Sequence, residues 1–382
     1  MKIFNDQGVT SPQGFKANGI FAGIKRSGKL DLALIASDTP AVAASVFTKN
    51  SIKAAPVIVS QEKSRYKKVQ AIIINSGNAN CFTGSFGLLY AKKSTEIIAK
   101  LMNINDNYVL VASTGIIGKP LAFNKIEKAA PELVQGLSAD CAHGHKAAQA
   151  ILTTDKKTKE IAVQCTLGGK TVILGACAKG SGMIQPNMAT MLAFITTDAV
   201  ISDQMLKDAL KEAVEPSFNS ITVDGCMSTN DMVTVMANGR VGNKAIESKG
   251  TDYKIFAQAL KLVCLELAKR IVLDAEGATK FIEVTVTGAG SYAQAKKACF
   301  AIANSNLFKC AAFGSDPNWG RVAAAVGSLG LKVTEKDLKI RFGSFAGKNI
   351  DISVDLNLGK HKAVVYTSDL TLDYVKINGK YN

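Results

Sequence analysis

Three features of the sequence predict an α+β protein built of layered sheets and helices. Runs with strand character and runs with helix character both occur, but without the strict alternation of a βαβ protein. Several strand runs are apolar and β-branched throughout, such as VQAIIINSG at 69–77, which is how a buried strand reads. The longest helical pattern, about 252–272, carries a single apolar stripe at Phe256, Leu260, Val263, Leu267 and Ile271.

Taken in order, residues 18–48 alternate short apolar runs with glycines and charges, predicting strands joined by tight turns. The strand at 69–77 leaves into a small polar loop, SGNANCFTG. Residues 86–102 have helical spacing at Leu89, Ile97, Ile98 and Leu101. A buried strand at 107–120 ends in a loop with Thr114, Gly115 and Gly118. Helical patterns follow around 123–137 and 143–152, and the second opens onto Thr153-Thr154-Asp155. Strands at 159–166 and 171–178, joined through Gly-Gly, form a hairpin. The hairpin leads into residues 179–199, KGSGMIQPNMATMLAFITTDA. The first half of this stretch is loop-like and the second, 190–197, reads as a buried strand. Ser202 caps a helix that stops at Pro216, and the loop TVDGCMSTND (222–231) feeds the strand MVTVMANG. The long helix ends at DAEGATK (274–280). A strand FIEVTVTG, a helix near 292–303, the loop GSDPNWG, a short Ala/Val helix and further strands complete the chain.

Composition narrows the function classes. The chain has 382 residues, 47% hydrophobic and 20% charged, as an ordinary globular protein does. It contains no run of 18 apolar residues, so no transmembrane helix is predicted. The N-terminus lacks a signal or transit pattern, so the cytoplasm is expected. Eight cysteines show no CxxC spacing and read mostly as reduced core residues. The net charge is +15, yet only six of the 46 basic residues are arginine and the lysines are scattered. That pattern argues against a nucleic-acid footprint, which clusters on one face. It reads first as a lysine-rich solvated surface, and second as attraction for anionic substrates.

Candidate chemistry centres on Thr190, which follows Ala189 and leads the buried strand out of a Gly-rich approach. If the Ala189–Thr190 bond were cut, Thr190 would carry both a hydroxyl nucleophile and a free α-amine. An α-amine has a pKa of about 7.7–8.0 and can serve as the general base for its own hydroxyl. Locally, Thr190 reads as well as a β-branched residue opening a core strand. His143 and His145 are two apart and so face different sides of a helix, and no second cluster completes a metal site. With His361 the chain has three histidines in all, a scarcity that favours a nucleophile carrying its own base. The segment Ser113-Thr114-Gly115 ends a strand and can offer backbone N–H groups to an oxyanion, or form an ordinary loop. Glu276 can meet a substrate amine, or simply lie solvated at a helix end. KGSG at 179–182 lacks the form of a phosphate-binding loop.

Taken together, the segments carry more than any of them alone. GIKRSGKLDLALIASD, VFTKN, INSGNAN, STGIIG, ILTTD, AKGSGMIQPNMATMLAFITTDA, SFNSITVDG with STND, DAEGATKFIEV, GSDPNWGRVAAAVG and DYVKIN run colinearly along the chain. In these blocks the chain resembles the ornithine acetyltransferase (glutamate N-acetyltransferase) family. The resemblance implies an Ntn-hydrolase-like layered sandwich of sheets covered by helices. It also implies self-cleavage between Ala189 and Thr190, giving an α chain (1–189) and a β chain (190–382) that form one catalytic unit. Thr190 would take the acetyl group from N2-acetylornithine and pass it to glutamate, a ping-pong exchange within arginine biosynthesis. Thr114 and Gly115 match the family's oxyanion pair, and Thr153, Lys179, Thr190, Glu276 and Asn378 match its substrate contacts; Thr154 is the alternative to Thr153. No metal or cofactor is implied, although some members also use acetyl-CoA as donor. The assembly implied is α2β2 or larger. The family's further Ser/Thr contact falls five residues past Asn378, beyond Asn382, and Cys226 stands where a small polar residue is expected. Two other readings remain. A related self-processing amidohydrolase or aminopeptidase would use water as acceptor, and a non-enzymatic lysine-rich binding protein would remain uncut.

Overall fold

The computed structural model describes residues 1–185 and 191–379. Among these, nine strands form one sheet: β1 (Lys2–Phe4), β2 (Phe15–Ile20), β3 (Leu32–Phe47), β4 (Lys68–Asn78), β5 (Val109–Ile116), β6 (Lys159–Leu167), β7 (Lys170–Lys179), β8 (Leu192–Thr197) and β9 (Met232–Ala237). Their order is β1-β6-β7-β8-β9-β3-β4-β5, with β2 on the first part of β3. The long strand β3 changes partners. Its residues 32–36 pair with β2 and β4, the register breaks between Ala36 and Ala41, and residues 42–47 pair with β9.

That break lets the two halves of the sheet face each other. Phe15, Ile35, Ile72, Ile74 and Leu110 from one half share a core with Cys177, Leu192, Phe194, Met232 and Met236 from the other. Strand alternation then sends the intervening side chains outward. Ala71 and Ile73 of β4 meet α1 (Ala55–Lys63), α2 (Gly84–Met102) and α3 (Phe123–Gln135). A fourth helix, α4 (Cys141–Ala150), lies against β2, so close that a side chain at Gly19 would sit 2.2 Å from the Lys146 carbonyl oxygen. On the far side, Ala193 and Ile195 of β8 pack under α5 (Asp203–Val214) and α6 (Thr251–Leu273). The result is helices, sheet, sheet, helices: the layered α+β sandwich the sequence predicts. With both faces of each half covered, the strands are apolar on both sides rather than alternating.

A smaller sheet follows, ordered β11-β12-β10-β13, from β10 (Phe281–Ala289), β11 (Lys339–Phe342), β12 (Asn349–Asp355) and β13 (His361–Ser368). It packs on α7 (Tyr292–Ala303), α8 (Asn306–Phe313) and α9 (Trp319–Gly327). Last among the described elements comes α10 (Leu372–Asn378).

The stripe predicted for α6 is fully buried at all five positions, and Ser202 caps α5 by accepting from the Met205 N–H. The helix at α2 has the expected period but another phase. Leu89 and Leu101 are exposed, while Gly87, Ala91, Ser94, Thr95, Ile98 and Ala99 are buried. Of the predicted stripe Ile98 is buried and Ile97 half-buried, and small side chains make up the rest of the face that α2 turns to the sheet. Thr114 and Gly115 also differ from the expected loop, since β5 runs through both to Ile116. The eight cysteines are free thiols, five buried and three (Cys141, Cys226, Cys310) exposed. Among the described residues, no helix is long and apolar enough to cross a membrane.

Candidate active site

Five separate parts of the chain converge on one cavity of about 350 Å3. It is lined by Thr114 and Gly115 from β5, Thr153 and Thr154 from the loop after α4, Lys179 closing β7, Glu276 after α6, and Asn378 closing α10. Ile116, Ile117, Gly182 and Met183 complete the wall. The sequence-predicted positions Thr114, Gly115, Thr153, Lys179, Glu276 and Asn378 therefore lie together. Ala189 and Thr190 lie outside the described residues.

The strand ends are shaped by glycine. β5 runs parallel to β4, and the register breaks where Asn78 pairs with both Thr114 and Ile116. At that break Gly115 has φ +130°, and a Cβ there would sit 2.4 Å from the Gly77 carbonyl carbon. The position is closed to any other residue, both by conformation and by space.

On one side of the cavity stands a buried cation. Lys179 Nζ donates to Thr153 Oγ1 at 2.7 Å and to Thr114 Oγ1 at 3.3 Å, and faces Asp155 Oδ2 at 3.8 Å. Burial lowers the Lys179 pKa, with Asp155 working against it. Asp155 is itself enclosed and accepts from the Thr153 and Gly180 backbone N–H groups and from Lys159 Nζ at 2.8 Å. Burial would raise its carboxyl, but Lys179 and Lys159 outweigh that and hold it well below the usual carboxylate range. Lys159 continues the chain of charge to Asp274 at 2.6 Å.

Opposite stands a carboxylate. Glu276 Oε1 accepts from Thr154 Oγ1 at 2.6 Å, and Oε2 from Asn378 Nδ2 at 2.8 Å. Its backbone N–H donates to the Ser181 carbonyl at 2.9 Å. Rather than a solvated helix-end residue, Glu276 is 7% exposed. Its neighbour Gly277 has φ +69°, and a Cβ there would meet the Tyr374 nitrogen at 2.4 Å. That clearance seats α10, whose capping residue Thr371 also donates to the Gly277 carbonyl at 2.8 Å. Gly182 also leaves room for the carboxylate, since a Cβ there would lie 2.3 Å from Glu276 Oε2.

Both flanks of the undescribed segment are anchored. Before it, Asp224 accepts from the backbone N–H groups of Met183 at 2.6 Å and Ile184 at 2.9 Å. After it, the Met191 N–H donates to Asp231 Oδ1 at 3.0 Å. Asp231 is fully enclosed, and burial raises its pKa well above the ordinary value. Asp155, Asp224 and Asp231 were not singled out by sequence reasoning. The only signal for each was an acid beside a run of Thr, Ser, Asn or Gly in a predicted loop. The helical histidines do not join the site; His145 pairs with Glu160 at 2.6 Å. Among the described residues, no group of three or more His, Cys, Asp or Glu side chains could hold a metal ion.

A cavity holding one cation and one carboxylate, with hydroxyls and an amide between them, suits a small zwitterion. The sequence model of the ArgJ family matches residues 16–349 and 344–382. The arginine biosynthesis bifunctional protein ArgJ of Geobacter sulfurreducens is 46% identical over 390 residues, covering 97% of this chain and 99% of that protein. Its namesake from Symbiobacterium thermophilum is 45% identical, with 98% of each chain covered. A solved structure described as ornithine acetyltransferase complexed with ornithine, from Mycobacterium tuberculosis, is 35% identical to this chain. It aligns over 49% of this chain and 98% of its own, with a TM-score of 0.45. The chain belongs to the ArgJ family, whose curated members are named as bifunctional proteins of arginine biosynthesis.

Proposed function

We propose that the chain is a self-processing acetyltransferase that moves the acetyl group of N2-acetylornithine to glutamate through an acetyl ester on Thr190. What supports this reading above all is the single cavity that unites Thr114, Gly115, Thr153, Lys179, Glu276 and Asn378 with Gly182 and Met183. The curated relatives' shared name supports the pathway.

Maturation begins with attack of the Thr190 hydroxyl on the Ala189 carbonyl carbon. The Ala189–Thr190 amide becomes an ester, and the Thr190 amine is released. Water then cleaves the ester, leaving an Ala189 carboxylate and an N-terminal threonine. The α chain (1–189) and β chain (190–382) would stay together because of strand order. β8 and β9 belong to the second piece but lie between β7 and β3 of the first, hydrogen-bonded on both sides.

In the transfer step the free amine, with a pKa of about 7.7–8.0, accepts the hydroxyl proton as Thr190 attacks the acetyl carbonyl. Thr114 and Gly115 are proposed to hold the developing oxyanion. Collapse breaks the acetyl–nitrogen bond, and the proton passes to the departing ornithine amine. Glutamate then reverses the sequence, its α-amine taking the acetyl group. One amide is broken and one is made, so the exchange is close to balanced. Charge dictates the orientation. Lys179 with Thr153 receives the substrate carboxylate, and Glu276 with Thr154 and Asn378 receives the side-chain ammonium of ornithine. Acetyl-CoA as an additional donor, an α2β2 or larger assembly and a cytoplasmic location belong to the same proposal.

The test is ornithine release from N2-acetylornithine with and without glutamate. Release is expected to depend on glutamate. Thr190→Ala should remain one uncleaved chain without transfer, while Thr190→Ser should retain some cleavage. Glutamate-independent release would instead make the protein an amidohydrolase. Normal processing of the Thr190→Ala chain would remove Thr190 as nucleophile.

A further inference from the structure

Four consecutive polar residues, Ser228-Thr229-Asn230-Asp231, run into β9, and no step of the chemistry above uses them. All four are buried, which costs free energy unless their polar groups are paired. The pairing reaches two strands at once. Asn230 Nδ2 donates to the Ala79 carbonyl at 2.7 Å and to the Ser113 carbonyl at 2.8 Å, gripping β5 just before Thr114. Its Oδ1 accepts from Thr229 Oγ1 at 2.7 Å, which fixes the orientation of the amide. Asp231 Oδ1 accepts from the Met191 N–H at 3.0 Å, just before β8. That nitrogen is bonded to the carbonyl carbon of Thr190, so it belongs to the planar peptide group the two residues share.

The segment is itself held from the other side. The Thr48 N–H donates to the Asp231 carbonyl at 3.1 Å, and Thr48 Oγ1 to the Ser228 carbonyl at 2.7 Å. The Ala54 N–H donates to the Thr229 carbonyl at 2.9 Å, and the Asn230 N–H to Ser228 Oγ at 3.0 Å. One polar atom stands apart. Asp231 Oδ2 is enclosed and has no hydrogen-bond partner among the described residues. Burial raises the Asp231 pKa well above the ordinary carboxylate value. The Met191 N–H, the Ser228 hydroxyl, the Lys179 charge and the Thr48 hydroxyl pull it down without overcoming burial. The shift favours the neutral acid, for which asparagine is a close match in shape and in hydrogen bonding.

We propose that Asn230 and Asp231 are positioning residues of the acyl transfer, a brace that fixes Thr114 and Gly115 relative to the peptide group following Thr190. The proposal rests on the acyl-transfer reading of the cavity. Neither residue lines that cavity, so the effect passes through the Ser113 carbonyl and the Met191 N–H. Bonds to two strands from adjacent side chains leave little freedom in their separation. A misplacement of about 1 Å between reacting groups costs about a hundredfold in rate.

Steady-state kinetics on the full protein test this, with rates counted per cleaved molecule. Asn230→Ala and Asp231→Ala should each lower kcat about a hundredfold. The apparent KM for N2-acetylornithine should stay within about threefold, because Lys179, Glu276 and Asn378 are untouched. Asp231→Asn, which keeps an acceptor for the Met191 N–H, should recover most of the kcat that alanine loses and follow the wild-type pH profile. Alanine variants with wild-type kcat would overturn the proposal, as would a raised KM with kcat unchanged. If the alanine variants do not fold, Asp231→Asn decides. Wild-type melting with kcat lost would show that the carboxylate charge is required, and the brace would fall. A wild type that releases ornithine without glutamate would refute the acceptor proposed above. Loss of that hydrolysis in the alanine variants would still uphold the brace, and its retention would overturn it.

Discussion

Lys179 can stand unsolvated in the wall of the cavity because Asp155 stands behind it. The lysine's charge is favoured by the carboxylate, and the carboxylate by two lysines and two backbone N–H groups. Asp155→Asn keeps the shape and removes the charge, leaving Lys179 and Lys159 buried beside a neutral amide. Breaking a buried pair in this way costs about 3–5 kcal/mol. The sign of its pH dependence follows from the depressed carboxyl. Its contribution is fully present above the unfolded aspartate value of about 3.9 and is lost as pH falls towards the folded value. Denaturant melts of wild type and variant should differ most near neutral pH and draw together in acid; a gap that widened below pH ~4 would contradict the assignment. Lys179 and Glu276, which line the cavity, were singled out in the sequence through the resemblance of whole blocks, whereas Thr190 lies outside the described residues. Asp155 stood in one of those blocks, ILTTD, but nothing local distinguishes an acid that receives two lysines from one that caps a turn. Its partners arrive from positions 159 and 179, which only the fold brings near.

Elements position the site through their ends. β5 delivers Thr114 and Gly115 just before its last residue, β7 delivers Lys179 at its last, and α10 delivers Asn378 at its own. Strand bodies were readable because both faces are buried and the residues are apolar or β-branched. The phase of α2 was only partly readable, because its buried face is, apart from Ile98, made of Gly, Ala, Ser and Thr, while Leu89 and Leu101 point to solvent. The helices α1, α8 and α10 gave no distinct periodic signal. They are seven to nine residues long, at most about two and a half turns. Gly115 is the most demanding point at this scale. Gly115→Ala would force a methyl into the Gly77 backbone at a positive φ. Strain of this kind is worth about 1–3 kcal/mol. Denaturant melts should show that loss, and transfer activity should fall further than the remaining folded fraction explains. Wild-type activity in that variant would exclude the β5 end from the reaction.

At the scale of the molecule, the two predicted pieces are interleaved rather than adjacent. The core between the half-sheets takes Phe15, Ile72 and Leu110 from the first piece and Leu192, Phe194 and Met232 from the second. Neither piece has a complete core alone, so a cut before Thr190 would leave one folded body. The α+β class was legible in the sequence because it follows from element types. This interleaving was not, because it depends on β3 crossing between half-sheets at the break after Ala36. The central claim is the cut itself, and the intact mass of the purified protein under denaturing conditions tests it most directly. The account predicts two masses, each about half of the 40.3 kDa chain, the second beginning TMLAF. A single 40.3 kDa species that transfers acetyl groups would contradict it, because Thr190 would then have no free amine to act as its base.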